Sequence, residues 1–275
     1  MPLEKTTDKE LLEELARRGF ASRKIELPVN VSYKFPEEKE PFKLGIVSDT
    51  HFGSIHQRPT CLADFYERCK EAGVKAMLHC GDMVEGNGRL FRGQQFEMFL
   101  FGSDSMVDYV TKSYPKIPGV KTYIIGGSHD MSFYKDDGTD VLQRIADKRS
   151  DIVALGMSGA FLKFGRISIY LMHGSGGGSY ARSYRLQKIC EQFTPEQKPH
   201  LLFLGHYHTG SYLPAYRNIE AFQVPCFQSQ TQYLREKGLN PVIGGIILTI
   251  VPDSKGMSHI IADWKIYYSP LERDY

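Results

Sequence analysis

Short apolar runs that end in a glycine or a polar residue recur along the chain. Runs of this length, bounded in this way, are typical of buried β-strands. Between several of them, apolar positions recur at helical spacing. One such segment covers residues 59–72, with Pro59 suited to its first turn. The strand runs cover residues 43–48, 76–80, 120–125, 161–164, 167–172 and 201–204. This alternation predicts an α/β fold.

The segments between and after these runs are less regular. Residues 86–114 read as a loop followed by a helix that is interrupted near Gly102. A helix over 139–148 is expected to be capped by Thr139 or Asp140, and another is expected over 180–193. The tail alternates apolar and polar residues over 243–251 and 257–267, which predicts an antiparallel pair of strands.

The first forty residues form a separate region in this prediction, with the main domain over residues 41–275. Thr7 and Glu10 fit a helix capping box, and Gly19 is suited to end that helix. Residues 30–41 are a charged connector bounded by Pro41. We expect an arm packed on the main domain. The alternative is a remnant of a DNA-binding or oligomerisation element.

The composition is that of an ordinary soluble globular protein. The chain has 275 residues, of which 41% are hydrophobic and 24% are charged, and its formal net charge is +2. This mild basicity permits nucleic-acid binding without arguing for it. No apolar stretch is long enough for a membrane span, and the five cysteines lack a C-x-x-C pair. These features predict a cytoplasmic protein with reduced thiols and no membrane partner. The oligomeric state stays open, with a homodimer among the options.

Polar residues that can serve as metal ligands follow the ends of these predicted strands. Open α/β sheets place ligands at the carboxyl ends of their strands. In an extended backbone, residues two apart point to the same side, so Asp49 and His51 are placed to bind one metal ion. Histidines at successive strand ends, each near a glycine, are hard to explain by core packing. The strand-end residues are Asp49 and His51, then Asp82, then Ser128, His129 and Asp130, then His173, and finally His206 and His208.

This order of motifs resembles the signature of the calcineurin-like metallophosphoesterases. That signature is D-x-H, G-D, G-N-H-[DE], H and G-H-x-H, and the match spans about residues 43–210. The block context is most similar to phage and prokaryotic members of the DNA-repair exonuclease type. The resemblance implies a four-layer αββα sandwich of two mixed sheets, with metals at one edge and the tail strands in the second sheet.

The resemblance also implies a binuclear metal centre. One ion is expected on Asp49, His51 and His208, and the other on His173 and His206 with Ser128 beside it. Asp82 is expected to bridge the two ions, and His129, oriented by Asp130, to face the phosphate as an acid or transition-state stabiliser. Mixed carboxylate and imidazole ligands suit Mn²⁺, Fe or Zn. Mn²⁺ is the preferred assignment, with Fe, Zn, Ni or Mg as alternatives.

The implied reaction is hydrolysis of a phosphodiester, such as DNA or a nucleotide, by a metal-bound hydroxide. Arg89, Arg92 and Tyr207 are the expected substrate contacts, although the two arginines also fit a solvated loop. The Gly-rich residues 175–179 lack a phosphate-loop pattern, which favours a mobile active-site loop. Ser128 stands where the family has Asn, and a hydroxyl is the weaker ligand. One alternative is a phosphomonoesterase. Ser128 is the reason for the other, an attenuated binding or scaffold protein on the same fold.

Overall fold

A computed structural model describes residues 31–86 and 93–269 of the chain. The predicted N-terminal helix and the two predicted substrate contacts Arg89 and Arg92 lie outside the described residues. The strands are β1 (Val31–Phe35), β2 (Phe42–Val47), β3 (Ala76–His79), β4 (Lys121–Gly126), β5 (Ile152–Met157), β6 (Gly159–Phe164), β7 (Ile167–Met172), β8 (Leu201–Leu204), β9 (Ser211–Tyr216), β10 (Ile219–Gln223), β11 (Gly244–Asp253) and β12 (Gly256–Ile266). The described helices are α1 (Pro59–Ala72), α2 (Ser103–Ser113), α3 (Asp130–Asp137), α4 (Val141–Lys148), α5 (Ser183–Cys190) and α6 (Gln232–Glu236).

The strands form two six-stranded mixed sheets. Sheet I has the order β12-β11-β2-β3-β4-β5, and its strands β2 to β5 run parallel to one another. Sheet II has the order β1-β6-β7-β8-β10-β9, and within it β7, β8 and β10 are parallel. Antiparallel pairs therefore flank the parallel centre of sheet II, whereas sheet I has antiparallel strands at one side only.

Alternate side chains along each strand point to opposite faces of the sheet, so one set packs between the two sheets and the other packs against the helices. In β2, Leu44 and Ile46 are fully buried against the inner strands of sheet II, including Leu171 and Phe203. Val47 points to the other face and packs with Phe65 of α1. Helix α5 covers the outer face of sheet II in the same way. The predicted four-layer αββα sandwich is confirmed.

Two predicted details of the sheets are wrong. The connector expected over residues 30–41 contains β1, which pairs in parallel with β6 and extends sheet II by one strand. The tail strands were expected in the second sheet, but β11 lies antiparallel to β2 in sheet I, with Ile246 opposite Ile46. Backbone pairing with β11 thereby occupies the edge of β2 beside the first motif.

The helix signals in the sequence are accurate for α1 and for the N-cap of α4, and they overestimate the length of α5, which ends at Cys190. Helix α1 covers the predicted residues, with Pro59 in its first turn and the left-handed Gly73 (φ 71°) ending it. Asp140 is the N-cap of α4 and accepts a hydrogen bond from the Gln143 amide. Helix α5 is shorter than predicted and begins only at Ser183, so Tyr180 belongs to the Gly-rich segment before it. No helix among the described residues is long and apolar enough to span a membrane.

Candidate metal centre

Five strands bring the predicted ligands to one edge of the sandwich. Strands β2, β3 and β4 are parallel neighbours in sheet I, and β7 and β8 are parallel neighbours in sheet II. Their carboxyl ends therefore lie side by side, and the residues that follow them meet between the two sheets. The predicted ligands form two groups with atoms within 4.8 Å of one another, Asp49 with His51 and His208, and Asp82 with His173 and His206.

The first group joins the two ends of the motif region. Nε2 of His208 lies 3.4 Å from Oδ1 of Asp49 and 3.2 Å from Nε2 of His51. All three side chains are buried. The Asp49 carboxylate also accepts a hydrogen bond from the His206 amide at 3.0 Å, and the Ser48 hydroxyl donates to it. Burial would raise the pKa of Asp49, but the nearby His208 holds it well below its usual range. Asp49 is therefore anionic at neutral pH.

The second group has a donor arrangement that fits a cation. Nδ1–H of His173 donates to the Cys80 carbonyl at 2.8 Å, so in the neutral ring Nε2 carries the lone pair. That Nε2 lies 3.1 Å from Oδ2 of Asp82, yet within the described part of the chain it makes no hydrogen bond. His206 donates from Nε2 to the Gly176 carbonyl at 2.8 Å, which leaves Nδ1 as its lone-pair atom. Nε2 of His173 and Oδ2 of Asp82 face each other in a buried site, and such a pair requires a proton or a metal ion between the two atoms. The donor set therefore fits a divalent ion.

Asp82 lies between the two groups. Its Oδ2 is 3.1 Å from Nε2 of His173 and 4.0 Å from Nε2 of His51. Its Oδ1 accepts the His129 amide at 2.8 Å, and the Ser128 hydroxyl lies 3.4 Å from its Oδ2. One carboxylate thus contacts donors of both groups, which is the arrangement expected of a bridging ligand. The role itself stays a prediction, as do the other ligand assignments.

His129 faces a carboxylate that the sequence analysis did not place in the site. Nδ1 of His129 lies 2.9 Å from Oε1 of Glu85. The other carboxylate oxygen of Glu85 lies 3.2 Å from Nδ1 of His51. Burial alone would lower the pKa of His129, but the charges of Glu85 and Asp82 raise it to about 9. The same histidines hold the pKa of the buried Glu85 well below its usual range.

Gln228 holds Glu85 in this position. Its Nε2 donates to Oε2 of Glu85 at 2.7 Å and to the Ser54 hydroxyl at 3.2 Å, and all of these groups are buried. Sequence reasoning missed both Glu85 and Gln228. Glu85 does carry a signal, because it lies three residues after Asp82 on the same strand end. Gln228 follows β10 in a segment without a motif, so only the fold reveals it.

Asp130 was expected to orient the ring of His129. Its carboxylate instead accepts hydrogen bonds from the backbone amides of Gly127 (2.8 Å), Val84 (3.1 Å) and Met83 (3.3 Å). These bonds join the loop after β4 to the loop after β3. Asp130 therefore holds together the two loops that carry His129 and Glu85, and Glu85 makes the contact with the imidazole.

Many of the predicted ligands have an unusual backbone conformation. Asp49 (φ 50°), His51 (45°), Asp82 (53°), His206 (83°) and His208 (52°) all lie in the left-handed region. Non-glycine residues adopt this conformation at a cost of roughly 1–2 kcal/mol each, and such residues cluster at functional sites. The strain is held here by hydrogen bonds between loops, such as that from the Asp49 amide to the Gly81 carbonyl at 2.9 Å.

Glycines beside the ligands allow the loops to approach closely. A Cβ on Gly81 would lie 2.5 Å from Nδ1 of His173, and one on Gly127 would lie 2.2 Å from Oδ1 of Asp82. A Cβ on Gly205 would lie 2.3 Å from the Ser48 hydroxyl. The glycine that accompanies each strand end therefore has a steric reason, because the loops after β3, β4 and β8 have no room for a side chain there.

The two groups open into one cleft of about 460 Å³. Its floor includes His51, Asp82 and His129, and the Gly-rich segment forms part of its wall. Tyr207, a predicted substrate contact, also lines this cleft, and its hydroxyl donates to the Ser175 carbonyl at 2.9 Å. Its contact with substrate stays a prediction.

Comparison with known proteins gives a family match. A family model described as the calcineurin-like phosphoesterase superfamily domain matches residues 42–217. A comparison of the sequence with curated proteins gives no match.

Three solved structures are among those similar to the chain. A single-mutant form of Vps29 from Entamoeba histolytica has a TM-score of 0.41 at 12% identity, and the match covers 82% of this chain and 99% of that one. A dimetal phosphatase from Danio rerio has a TM-score of 0.41 at 12% identity and covers 83% and 99%. The nuclease MPE of Pseudomonas putida has a TM-score of 0.35 at 14% identity and covers 68% and 76%.

Proposed function

The chain belongs to the calcineurin-like phosphoesterase superfamily, and from that premise we propose that it hydrolyses phosphodiester bonds at a binuclear centre. The observation that carries the proposal is the position of Asp82 between two groups of donors, with its Oδ2 3.1 Å from Nε2 of His173. Asp49, His51 and His208 would hold one ion, and His173 and His206 the other. Bound divalent ions would activate a water molecule and stabilise charge on the phosphoryl oxygens.

The residues of the chain supply the remaining parts of the reaction. His129 carries its proton at neutral pH, because Glu85 and Asp82 raise its pKa to about 9. It lines the cleft, so it would donate that proton to the leaving oxygen or to a phosphoryl oxygen. Glu85 would hold the ring in the orientation for this step. Asp130 and Gln228 position these two side chains from behind.

The charges of the cleft favour a diester over a monoester. Among the described residues, Arg182 is the one lysine or arginine that lines the cleft, whereas Glu85 and Glu97 are both on its wall. A phosphodiester carries one negative charge near neutral pH, while a phosphomonoester carries nearly two. Within the part of the chain that the structure describes, a wall with one cationic side chain suits the diester better. A nuclease or a nucleotide phosphodiesterase is the corresponding activity, and Mn²⁺ is the proposed ion.

The test is metal-dependent hydrolysis of bis(p-nitrophenyl) phosphate and of p-nitrophenyl phosphate by the full chain. We expect turnover of the diester with Mn²⁺ that is lost with a chelator and restored by added metal, and much weaker turnover of the monoester. The Asp82→Ala variant serves as the negative control for contaminating phosphatases. Preference for the monoester would overturn the diesterase assignment.

Ser128 favours a second candidate, an attenuated binding or scaffold protein. Its hydroxyl is directed to Oδ2 of Asp82 at 3.4 Å, where the family has the longer amide of Asn. The second ion would then be held by fewer protein ligands. Bound-metal counting on the chain and on Ser128→Asn separates the candidates. One ion and no turnover in the chain, with two ions and turnover in Ser128→Asn, would favour the attenuated form.

A further inference from the structure

Two tyrosines with large exposed rings share the cleft with the candidate metal centre. Tyr180 is fully exposed to solvent, and Tyr233 is 50% exposed. Both line the same cleft as His129 and Asp82. Single exposed aromatic residues are ordinary on protein surfaces. Two of them along one polar cleft are informative, because an aromatic ring offers a flat apolar face to a ligand.

The tyrosines are attached to fixed parts of the site. Tyr180 ends the Gly-rich segment, whose backbone is held by hydrogen bonds from His206 Nε2 to the Gly176 carbonyl (2.8 Å) and from Arg185 to the Gly177 carbonyl (2.7 Å). Tyr233 lies on α6, which is capped by the Thr231 hydroxyl. Nζ of Lys237 lies 5.9 Å from the centre of the Tyr233 ring. Both tyrosines are thus attached to hydrogen-bonded backbone beside the cleft.

The rest of the wall suits the edge of a heterocyclic base. Neutral amide and hydroxyl groups line it, and they offer both donors and acceptors. A base presents the same two kinds of group on its edge and an apolar π-face above and below. The neutral polar residues of the wall include Gln94, Thr209, Gln223 and Asn240.

We propose that the cleft binds a nucleobase attached to the scissile phosphodiester, with Tyr180 and Tyr233 as stacking surfaces. This inference rests on the proposed diesterase function and names its substrate class. Stacking on aromatic side chains tolerates every base, so the site selects nucleotides without selecting a sequence. Two sources share this chemistry, a small nucleotide diester and the single-stranded end of a nucleic acid. A duplex keeps its bases stacked inside the helix and is excluded.

The kinetic test compares two diesters that have the same leaving group. One is the p-nitrophenyl ester of thymidine 5′-phosphate, and the other is ethyl p-nitrophenyl phosphate, which has no base. We expect a higher kcat/KM for the thymidine ester, and a decrease of about 5- to 100-fold for that substrate alone in Tyr180→Ala and Tyr233→Ala. Tyr180→Trp should retain the preference because it retains an aromatic face.

Matched control variants are present in the chain. Tyr268 has 93% of its ring exposed and lies outside the cleft, so Tyr268→Ala controls for the loss of the exposed Tyr180. Tyr184 has Nζ of Lys188 at 5.9 Å from its ring centre, as Tyr233 has Lys237, and it also lies outside the cleft lining. Both control variants should cleave the two diesters as the unmodified chain does.

A binding measurement separates failure of this inference from failure of the proposed function. Fluorescence anisotropy of labelled oligothymidylates, a labelled mononucleotide diester and a duplex is measured with chelator present, so that nothing is cleaved. We expect single-stranded or mononucleotide binding that weakens in Tyr180→Ala and Tyr233→Ala. Length-dependent affinity identifies a nucleic-acid end, and equal affinity for the mononucleotide identifies the small diester. A duplex preference, or binding unchanged by both variants, would overturn the inference even if the ethyl ester is hydrolysed.

Discussion

Gln228 donates a hydrogen bond of 2.7 Å to the Glu85 carboxylate, and that carboxylate contacts the imidazoles of both His51 and His129. A buried amide from beyond the motif region therefore fixes the carboxylate that positions one candidate ligand and the candidate acid. Groups behind a metal ligand set its orientation and its basicity. Glu85 therefore links the candidate metal ligand His51 to the candidate acid His129.

Replacement of Glu85 by Gln should slow turnover and move the pH profile. The variant keeps the size of the side chain but removes the charge that raises the pKa of His129. We expect activity to fall by about 10- to 100-fold, the range for outer partners of a metal site. The pH limb that reflects protonated His129 should move to lower pH. Glu67→Gln, the same change on the exposed face of α1, is the control, and an unmoved limb would contradict the positioning role.

Asp82 and His129 should give different results in metal counting. Asp82→Ala removes the carboxylate that contacts both groups of donors, so we expect the loss of both ions. His129→Ala leaves these donors in place, and we expect bound metal with turnover slowed by roughly 10²–10⁴-fold. Elemental analysis and steady-state kinetics are measured on the same preparations. Full activity of His129→Ala on a diester with a poor leaving group would show that the assigned role is wrong.

Gly81→Ala should weaken metal binding beyond its effect on stability. The residue has φ 95°, and a Cβ there would lie 2.5 Å from Nδ1 of His173. Gly138 also has a left-handed backbone, at φ 80°, but a Cβ there meets nothing within 4 Å. Gly138→Ala should therefore lose about 1 kcal/mol of stability and keep its metals, whereas Gly81→Ala should also displace His173. Equal metal affinity in the two variants, measured by titration, would refute the steric argument.

His79 should make the fold less stable as the pH falls below about 6.5. Burial lowers its pKa from 6.5 to about 3 in the folded chain. Its Nδ1 accepts the Gly81 amide at 3.2 Å, and its Nε2 lies 3.2 Å from the Thr50 hydroxyl. Between these two pKa values the unfolded chain binds a proton that the folded chain excludes, so the free energy of unfolding decreases by up to about 1.4 kcal/mol per pH unit.

The measurement for His79 is denaturant unfolding between neutral pH and about pH 5, with equal metal content in all samples. His79→Asn keeps an acceptor for the Gly81 amide and removes the titrating ring. The variant is expected to be less stable at neutral pH but to show a shallower decrease with acid. Parallel curves for the two proteins would exclude His79 as the source of the pH dependence.

The local elements of this structure could be predicted from the sequence, whereas its long-range contacts could not. Helix α1 and the strands before each motif follow from spacing and turn residues, and the αββα sandwich follows from the resemblance. The pairing of β11 with β2 could not be predicted, because several apolar strands would cover that edge equally well. Gln228 was missed for the same reason, since its contact with Glu85 joins residues that are 143 positions apart.

The side chains of Asp49 and His51 lie close together as expected, but for a different reason. An extended backbone was expected to place both side chains on one side of the strand. The side chains do meet at one group, but both residues have left-handed φ values beyond the end of β2. The turn is set by contacts with the loop after β3, including the hydrogen bond from the His51 amide to the Asp82 carbonyl at 3.1 Å. Tertiary contacts of this kind are invisible to a pattern along the chain.

The candidate ligands follow strands of both sheets, so the metal centre can form only when the two sheets pack together. Asp49 and Asp82 belong to sheet I, whereas His173 and His208 belong to sheet II, so neither sheet alone carries a complete set. A metal ion would then link the two sheets, and its ligand set would be complete only after they have docked. Metal binding of this kind stabilises the docked state by mass action. It would act chiefly by slowing the opening of the sandwich, so that metal retention reports on the integrity of the whole fold.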